Sequence, residues 1–331
     1  MLPHSLSGPR QRVLVTGGSG FIGSHLVDRL LARGDRVIAV DNFDPFYSPE
    51  EKRRNLSAAF ENPAFRLVVA DCADPPQLRE ALDDEPIDAI VHLAAKAGVR
   101  PSLRDPLGYA RANIIATQAL LELARQWGVR RFVFGSSSSV YGNRADIPFS
   151  EDDRADQPVS PYAATKRAGE VLCHTYAHLY GMRIIALRFF TVYGPRQRPD
   201  LAIRKFATLM LRGEPVPVYG DGSAERDYTW IDDILDGILA AIDWTAAPDP
   251  AFEIVNLGES RTTSVRRLLQ LLADSLGVEP RIAHHPPQPG DVLRTCADLS
   301  KAQRLLGYRP KVPVEEGIPR FAEWIRTLPA A

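Results

Sequence analysis

The sequence predicts an α/β protein with a doubly wound parallel sheet and a smaller C-terminal α/β substrate-binding domain. A short apolar strand runs into a glycine-rich turn and an amphipathic helix at residues 13–31. Short apolar strands then alternate with helices as far as residue 188, and this order implies right-handed crossovers and parallel pairing. Prolines become more frequent and the elements shorter beyond that point, which indicates a second, smaller unit.

The glycine-rich turn after the first strand, Val13–Val15, has the spacing of a dinucleotide site. Gly17 is free to adopt a backbone conformation that side chains forbid. Gly20 lets the chain approach a diphosphate, and Gly23 lets the helix pack tightly on the strand. The N-terminus of the helix offers N–H groups and a partial positive charge to phosphates. The turn therefore predicts a Rossmann-type nucleotide site, with a glycine turn in some other α/β protein as the alternative.

A second strand, Arg36–Val40, ends in Asp41, about twenty residues after the glycines, as the dinucleotide fingerprint requires. An acid at this position accepts hydrogen bonds from an adenosine ribose and repels a 2′-phosphate, so NAD is predicted rather than NADP. Prolines and mixed charge then indicate a loop that runs into a solvated helix. The charged run Glu50–Arg54 is expected to form an exposed face of that helix.

Two further strands end in residues suited to a nucleotide. Phe65–Ala70 is predicted to be a buried strand followed by Asp71, whose carboxylate is placed to hold an adenine amino group. Asp88–Leu93 ends in Ala94 and Ala95, small residues that let the backbone lie against a cofactor. Because ligands of such sheets gather at the carboxyl ends of the strands, these residues are expected to share one site.

Four consecutive serines mark the end of the next strand. A long helix predicted over Leu107–Trp127 closes at Gly128, a typical C-terminal residue. The strand Arg131–Phe134 follows and runs into Ser136–Ser139. Their hydroxyls are expected at the carboxyl edge of the sheet, where they favour a functional role over an ordinary serine-rich loop.

Tyr162 and Lys166 stand four residues apart at the start of a predicted helix, so they point the same way. A tyrosine phenol has a pKa near 10, and a neighbouring ammonium group and the positive nicotinamide ring favour the phenolate and lower that pKa. The pair predicts a general base that works near neutral pH. Taken alone the spacing is often incidental, but it follows a dinucleotide turn and a serine-rich strand end.

The strand Arg183–Arg188 opens into a long loop, Phe189–Asp200, and a domain boundary is placed there. Residues 1–188 are predicted to bind the dinucleotide and residues 189–331 mainly the substrate, with about 229–258 packing back on the first domain. Loop arginines of the second part suit phosphate oxygens. At least two of the set are expected to bind a second anionic ligand, although a surface role is the alternative for each: Arg198, Arg204, Arg226 and Arg294.

Composition excludes several classes of function. The net charge of −1 provides no field that would draw the chain to nucleic acid or an anionic membrane. No apolar run is long enough to span a bilayer, and residues 1–10 lack the apolar core of a signal peptide. Three widely spaced cysteines imply no disulfide framework and suit a reducing compartment. A cytoplasmic protein is therefore expected.

Two histidine pairs raise the question of a metal site. His174 and His178 are four apart on a predicted helix, and His284 and His285 are adjacent. Neither pair has an evident third ligand, so no metal is predicted.

Together these motifs resemble the extended short-chain dehydrogenase/reductases, and more closely their NAD-dependent nucleotide-sugar epimerases. The similarity extends over nearly the whole chain, from Val13 to Asp298. It implies bound NAD, a UDP-sugar substrate, and a homodimer whose long helices form a four-helix bundle. It also implies oxidation at the sugar C4, rotation of the 4-keto sugar and reduction on its other face.

The resemblance assigns roles position by position. Tyr162 is the implied base, Lys166 its modulator and ribose clamp, and Ser137 the hydroxyl on the sugar O4. The implied cofactor-binding set is Gly17, Gly20, Phe21, Ile22, Asp41, Asn42, Asp71, Cys72, Leu93, Ala94, Ala95, Lys96, Asn113, Tyr162 and Lys166. The implied substrate-binding set is Ser137, Ser138, Thr191, Arg198, Val218, Tyr219, Arg226 and Arg294, with the last two on the diphosphate.

The strand-end turn bears on the reaction. Dehydratases of this family carry an Asp-Glu pair after the strand-end hydroxyl, and decarboxylating relatives carry an acid there. This chain has Ser138-Ser139 instead, so dehydration is set aside and decarboxylation is less favoured.

The segments Asn42–Leu56, Ala97–Arg100 and Thr191–Pro195 look like those of UDP-glucuronate 4-epimerases. In UDP-glucose 4-epimerases the position of Thr191 is usually Asn. Oxidation of a uronate at C4 produces a β-keto acid that is prone to lose CO₂, and hydroxyls of Ser137, Ser138 and Thr191 are placed to hold its carboxylate, with Arg198 closing over the substrate. The alternatives are a UDP-glucose or UDP-N-acetylglucosamine 4-epimerase and, less favoured, a decarboxylase or a non-catalytic NAD-binding regulator.

Overall fold

The computed structural model describes residues 11–83, 85–286 and 292–328. The strands are β1 (Arg12–Thr16), β2 (Arg36–Asp41), β3 (Phe65–Val69), β4 (Ala89–His92), β5 (Arg131–Ser137), β6 (Arg183–Phe189), β7 (Thr191–Tyr193), β8 (Val216–Tyr219), β9 (Glu225–Trp230), β10 (Ala251–Leu257), β11 (Thr262–Ser264) and β12 (Ile282–His285). The α-helices are α1 (Phe21–Arg33), α2 (Pro49–Arg54), α3 (Ser57–Phe60), α4 (Pro75–Leu82), α5 (Val99–Arg104), α6 (Pro106–Ala110), α7 (Ala116–Gln126), α8 (Pro161–Tyr180), α9 (Ala202–Leu211), α10 (Ile231–Trp244), α11 (Val265–Leu276), α12 (Ser300–Leu306) and α13 (Val314–Arg326). Among these, none is long and apolar enough to cross a membrane.

Seven parallel strands form the central sheet in the order β10-β6-β5-β4-β1-β2-β3. Strand β1 lies between β2 and β4, with Val13 opposite both Val37 and Ala89. The direction of winding reverses between β1 and β4, and this is where a doubly wound sheet opens a crevice at its carboxyl edge. The predicted parallel, doubly wound sheet is confirmed.

Helices cover both faces of this sheet. Val13 and Val15 of β1 pack with Leu26 of α1 and with α10, whereas Leu14 packs on the other face with Leu120 and the residues of α4 and α8. Successive side chains of a strand point to opposite faces, so a strand buried on both sides is apolar throughout. That explains the unbroken apolar runs in the sequence.

The chain returns to the central sheet after it has entered the smaller lobe. Strand β10 adds to the edge of the sheet beside β6, with Val255 opposite Leu187. Helix α10 lies against α1, and Arg29 Nη2 is 2.6 Å from Asp236 Oδ1. Residues 231–257 thus complete the first lobe although they follow the first part of the second.

The smaller lobe contains two short sheets, β11-β9-β7 and β12-β8, with α9, α11 and α13 packed together beside them. The sequence predicted an uninterrupted loop over 189–200. In the structure three residues of it form β7, where Thr191 pairs with Tyr228 of β9. A strand of three residues is too short to show a period, so only its partner across the lobe defines it.

Two other predicted elements differ from the structure. Strand β3 was predicted to be buried, but it is the outermost strand, and Val69 is 55% exposed. The helix predicted over 107–127 is interrupted by one π-helical turn, Arg111–Ile115, between α6 and α7. Such turns are frequent at functional sites, and this one lies beside the cleft described below.

Candidate active site

A cleft of about 440 Å³ opens at the carboxyl edge of the central sheet and reaches the smaller lobe. It collects most of the predicted site residues. Those that line it are Gly17, Gly20, Phe21, Ile22, Asp41, Asn42, Asp71, Cys72, Leu93, Ala94, Ala95, Lys96, Ser137, Ser138, Tyr162, Lys166, Thr191 and Arg198. Five predicted residues do not line it: Asn113, Val218, Tyr219, Arg226 and Arg294.

The glycine-rich turn forms a narrow cradle at one end of the cleft. Gly17 has φ +68°, and a Cβ there would lie 2.8 Å from the backbone nitrogen of Ala94. A Cβ on Gly23 would lie 2.1 Å from the Gly17 carbonyl oxygen. The Ser19 hydroxyl is buried and has no hydrogen-bond partner within the described chain. A bare backbone at a helix N-terminus with an unpaired hydroxyl fits the diphosphate of a dinucleotide.

Asp41 is buried at the end of β2 next to this cradle. Its Oδ1 accepts a hydrogen bond from the Phe43 N–H (2.8 Å), and its Oδ2 accepts one from the Ser19 N–H (3.3 Å). These bonds hold the carboxylate at the rim of the cleft, the position that binds a ribose in this fold.

The charged run Glu50–Arg54 was predicted to form an exposed helix face, and this prediction is wrong for Glu51 and Lys52. Lys52 is buried, and its Nζ donates to the Asp44 carbonyl oxygen (2.8 Å) and lies 3.9 Å from Asp41 Oδ1. Glu51 forms a largely buried ion pair with Arg204 of the smaller lobe. Glu50, Arg53 and Arg54 of α2 are exposed as predicted, whereas Glu51 and Lys52 face the protein and meet partners that local sequence does not show.

Asn113 lies behind the wall of the cleft, in the π-helical turn. Its Oδ1 accepts from the Lys96 N–H (2.8 Å), and its Nδ2 donates to the Lys96 carbonyl oxygen (2.9 Å) and to Thr165 Oγ1 (2.9 Å). Asn113 therefore joins the loop after β4 to helix α8. This supporting position differs from the direct cofactor contact that was predicted for it.

His92 is another buried support of this wall. Its Nδ1 lies 2.7 Å from Thr16 Oγ1 and its Nε2 lies 3.0 Å from Thr117 Oγ1. Burial, together with the charge of Lys166, lowers the pKa of His92 to about 3. The ring is therefore neutral at physiological pH, and it links β1, β4 and α7 through hydrogen bonds alone.

Tyr162 and Lys166 emerge from the first turns of α8, which Ser160 caps by accepting from the Ala163 N–H (3.1 Å). Both side chains line the cleft, as their spacing predicted. Lys166 Nζ donates to the Gly135 carbonyl oxygen (2.7 Å), and burial lowers its pKa to about 8.

In the protein alone, the pKa of Tyr162 is shifted upwards. Burial raises it above the usual value, while Ser137 and the positive charge of Arg198 act in the opposite direction. The predicted lowering requires the charge of the nicotinamide ring as well as that of Lys166, so it stays a prediction for the protein with bound NAD. Desolvation of the phenolate outweighs the neighbouring charges because the ring is enclosed by the cleft walls.

A buried ion pair lies one helical turn beyond Lys166. Glu170 Oε1 and Oε2 accept from Arg188 Nε (2.8 Å) and Nη2 (2.9 Å), and Oε1 also accepts from the Ser136 hydroxyl (2.6 Å). The pair joins β6, α8 and the end of β5 beside Ser137. Sequence analysis missed Glu170, although its spacing of four from Lys166 places it on the same helix face.

The substrate side of the cleft contains Thr191 and Arg198. Arg198 Nη2 donates to the Ala97 carbonyl oxygen (3.1 Å) and to Asp200 Oδ2 (2.7 Å), and its guanidinium lies 5.2 Å from the centre of the Phe46 ring. The arginine thus lies over the cleft while it is already held by the protein.

The remaining predicted substrate residues lie in the smaller lobe, outside the lining of the cleft. Val218 is buried in β8, and the guanidinium of Arg100 lies 4.5 Å from the centre of the Tyr219 ring. Arg226 Nη1 donates to the Glu225 carbonyl oxygen (2.9 Å), and Arg294 Nε is 2.6 Å from Glu225 Oε2. Arg226 thus lies in β9 and Arg294 lies beside Glu225 at the start of that strand, and their contact with a diphosphate stays a prediction.

One segment that carries the family resemblance begins at Pro289, and its first residues, Pro289–Asp291, lie outside the described residues. Within the described ranges, His174 and His178 stack on α8 with ring centres 6.4 Å apart. No group of three or more His, Cys, Asp or Glu side chains there could hold a metal ion.

Comparison with known proteins points to one family. The model of the NAD dependent epimerase/dehydratase family matches residues 13–258. A probable UDP-glucuronate 4-epimerase of Rhizobium meliloti is 38% identical, over 95% of this chain and 96% of that protein. The crystal structure of UDP-glucuronic acid 4-epimerase from Bacillus cereus, in complex with UDP-glucuronic acid and NAD, has a TM-score of 0.88 and 36% identity, covering 95% of this chain and 99% of that one. The crystal structure of UDP-glucose 4-epimerase from Thermotoga maritima, with UDP-glucose, has a TM-score of 0.87 and 35% identity. The match covers 95% of this chain and 98% of that one.

Proposed function

The chain belongs to the NAD-dependent epimerase/dehydratase family, and we propose that it interconverts UDP-glucuronate and UDP-galacturonate with bound NAD. The observation that carries the proposal is the convergence of Ser137, Tyr162 and Lys166 with Thr191 in one cleft beside the glycine cradle. The likeness to UDP-glucuronate 4-epimerases over nearly the whole chain supports it.

The cradle, the Asp41 carboxylate and the small residues after β4 fit NAD. Gly17 and Gly23 leave no room for side chains, and the buried Ser19 hydroxyl in the same turn has no hydrogen-bond partner within the described chain. When bound, NAD accepts a hydride from the sugar C4 and returns it, so that redox balances within each turnover.

Tyr162 is the group that takes the proton from the C4 hydroxyl and later returns it. Ser137 lines the same cleft, and its hydroxyl is the second group on the sugar O4. Lys166, fixed to the Gly135 carbonyl oxygen, presents its charge beside this base and its remaining N–H groups to a ribose.

Retention of the uronate carboxylate distinguishes epimerisation from decarboxylation. A β-keto acid loses CO₂ when the breaking C–C bond aligns with the ketone. Short hydroxyls of Ser137, Ser138 and Thr191 hold the carboxylate by hydrogen bonds away from that alignment, and Arg198 covers it. No acidic side chain occupies the turn after β5, where Ser138 and Ser139 stand.

A UDP-glucose 4-epimerase is the second candidate, and the likeness to the Thermotoga maritima enzyme favours it. The catalytic groups serve both sugars equally. Thr191 favours UDP-glucuronate over UDP-glucose as the substrate, because a threonine hydroxyl can donate a short hydrogen bond to the sugar carboxylate.

We also infer a homodimer in the cytoplasm. Five large hydrophobic side chains are exposed on α6, the π-helical turn and α8: Leu107, Ile115, Val171, Leu179 and Tyr180. Leu107 is 82% exposed and Leu179 60%, and pairing two copies through these helices would bury them. Leu107→Glu with Val171→Glu should convert a dimer to a monomer in sedimentation; a wild type that sediments as a monomer contradicts the inference.

The free thiols of Cys72 and Cys173 suit a reducing compartment such as the cytoplasm.

The test is to incubate the purified protein, without added NAD, with UDP-glucuronate and separately with UDP-glucose, and to identify products by chromatography and proton NMR. UDP-galacturonate from the first sugar alone is the expected result. UDP-galactose from the second would favour the neutral-sugar epimerase. A UDP-pentose with CO₂ would contradict the role given to the three hydroxyls, and no product from either sugar, even with added NAD, would contradict the proposal.

A further inference from the structure

Residues 44–52, called the strap here, run from the rim of the cleft beside Asp41 into helix α2. Asp44, Phe46, Tyr47 and Lys52 all line the cleft. The Tyr47 hydroxyl is buried there and has no hydrogen-bond partner within the described chain. The strap therefore forms part of the cofactor end of the cleft and offers it a free polar group.

Glu51 fastens the strap to the smaller lobe. Its two carboxylate oxygens accept from Nη1 and Nη2 of Arg204 in α9, the latter at 3.1 Å. The side chains are 15% and 10% exposed. A bidentate pair with so little exposure is fixed in geometry, and removal of one partner would leave the other charge without compensation.

Arg204 also contacts the loop that carries Arg198. Its Nη1 donates to the Gln197 carbonyl oxygen (2.6 Å), and its backbone N–H donates to Gln197 Oε1 (3.1 Å). Gln197 Nε2 in turn donates to the Val192 carbonyl oxygen (3.0 Å). The same loop touches the strap a second time where Arg198 lies over the Phe46 ring.

We propose that Glu51 and Arg204 are positioning residues that lock the strap over the bound dinucleotide and couple it to the loop over the sugar. NAD then leaves only when this ion pair opens, which makes it a retained group and not an exchanging cosubstrate. Because the loop of Arg198 shares Arg204 with the strap, a bound UDP-sugar slows the loss of NAD. The inference rests on the proposed function for the identity of both ligands.

The experiment measures NAD dissociation from the purified protein. Wild type, Glu51→Gln and Arg204→Met are loaded with NAD and diluted into excess ethenoadenine-NAD, whose fluorescence reports exchange. The ion-pair variants should lose NAD about tenfold faster or more, since breaking a buried pair is strongly destabilising. The double variant should be no faster than the worse single variant, because each residue acts through the other.

Glu50→Gln is the matched control, since Glu50 precedes Glu51 on the same helix and is exposed. Its exchange should match that of wild type. An exchange rate of Glu51→Gln within twofold of this control would overturn the proposal. So would equal acceleration in all variants together with lower melting temperatures of the NAD-free proteins, which is the pattern of a purely structural effect.

A second arm repeats the exchange with saturating UDP-glucuronate. The sugar nucleotide should slow exchange in wild type but not in Glu51→Gln, and slowing of both to the same degree would refute the coupling. The first arm needs no sugar. Faster exchange in the ion-pair variants, with no conversion of UDP-glucuronate by wild type, would therefore support the role of the ion pair and contradict the proposed substrate. Conversion of UDP-glucuronate by wild type, with no faster exchange in the variants, would support the substrate and contradict the role of the ion pair.

Discussion

Replacement of Glu170 tests whether the buried ion pair behind the catalytic groups stabilises the fold. Glu170 and Arg188 are 0% and 1% exposed, and their contacts join α8 to β6 and, through the Ser136 hydroxyl, to β5. Glu170→Ala would leave the buried Arg188 guanidinium, which lies 4.6 Å from the centre of the Tyr141 ring, without its carboxylate partner. Arg188 Nη1 already has no hydrogen-bond partner within the described chain, so little else is available to compensate its charge.

The expected loss is about 3–5 kcal/mol, the cost of removing one partner of a buried pair. At about 2.1 cal/mol/K per residue, the unfolding entropy of a chain this long is roughly 0.7 kcal/mol/K. The melting temperature should therefore fall by about 4–7 °C. Arg167→Ala is the matched control, because it removes a partner of the same carboxylate, at 2.8 Å, from a position 34% exposed. Its cost should be at most about 1 kcal/mol, or roughly 1.5 °C.

The assay is thermal unfolding of both variants and wild type with saturating NAD, followed by circular dichroism. Replacement of both partners, Glu170→Met with Arg188→Met, should restore much of the loss, because no charge is then left unpaired. Equal melting temperatures for Glu170→Ala and Arg167→Ala would refute the reasoning. A double variant less stable than Glu170→Ala would show that packing, and not the uncompensated charge, sets the cost.

Four further predictions concern the cleft. Tyr162→Phe removes the base and should lower turnover by about 10²-fold or more, with UDP-glucuronate binding retained in calorimetry; turnover near that of wild type would exclude Tyr162 as the base. Thr191→Ala should raise CO₂ release or weaken UDP-glucuronate binding, and unchanged kinetics with both UDP-glucuronate and UDP-glucose would contradict the carboxylate contact. Gly23→Ala places a Cβ 2.1 Å from the Gly17 carbonyl oxygen, so the purified protein should hold less NAD by absorbance after denaturation, whereas full NAD content would contradict the cradle. Because the pKa of Tyr162 is raised, the single-turnover rate should increase with pH as the phenol ionises. The pKa of Lys166 is lowered to about 8, so loss of the Lys166 charge should flatten this increase above about pH 8. A pH-independent rate would contradict both assignments.

Much of the fold followed from local patterns. The glycine spacing reflects the backbone of one turn, the acid after the second strand marks a strand end, and the spacing of Tyr162 from Lys166 reflects the helical period. Each of these patterns is readable over a short stretch of sequence. The order of apolar strands and helices then leaves few topologies, because parallel crossovers are right-handed.

The structure alone decided what the charged side chains do. Glu51 and Lys52 belong to a charged run that the sequence predicts to face solvent. In the structure Glu51 forms an ion pair with Arg204 of the other lobe, and Lys52 is buried beside the cleft. Arg204 was expected among arginines facing an anionic ligand or solvent, and it is taken up by a carboxylate of the protein. A charge run shows the composition of a helix face, but only packing shows what lies opposite it.

The pKa of Tyr162 gives the physical reason for this division. The sequence places the Lys166 ammonium on the same helix face and predicts that, together with a bound nicotinamide ring, it lowers the pKa of Tyr162. Burial of the phenol, which comes from walls supplied by distant parts of the chain, has the larger effect and raises the pKa. Periodicity is a property of neighbouring residues, so the sequence alone determined most of the elements and most of the residues that line the cleft. Desolvation and ion pairing depend on every group that packs nearby, so only the tertiary structure determined the electrostatics.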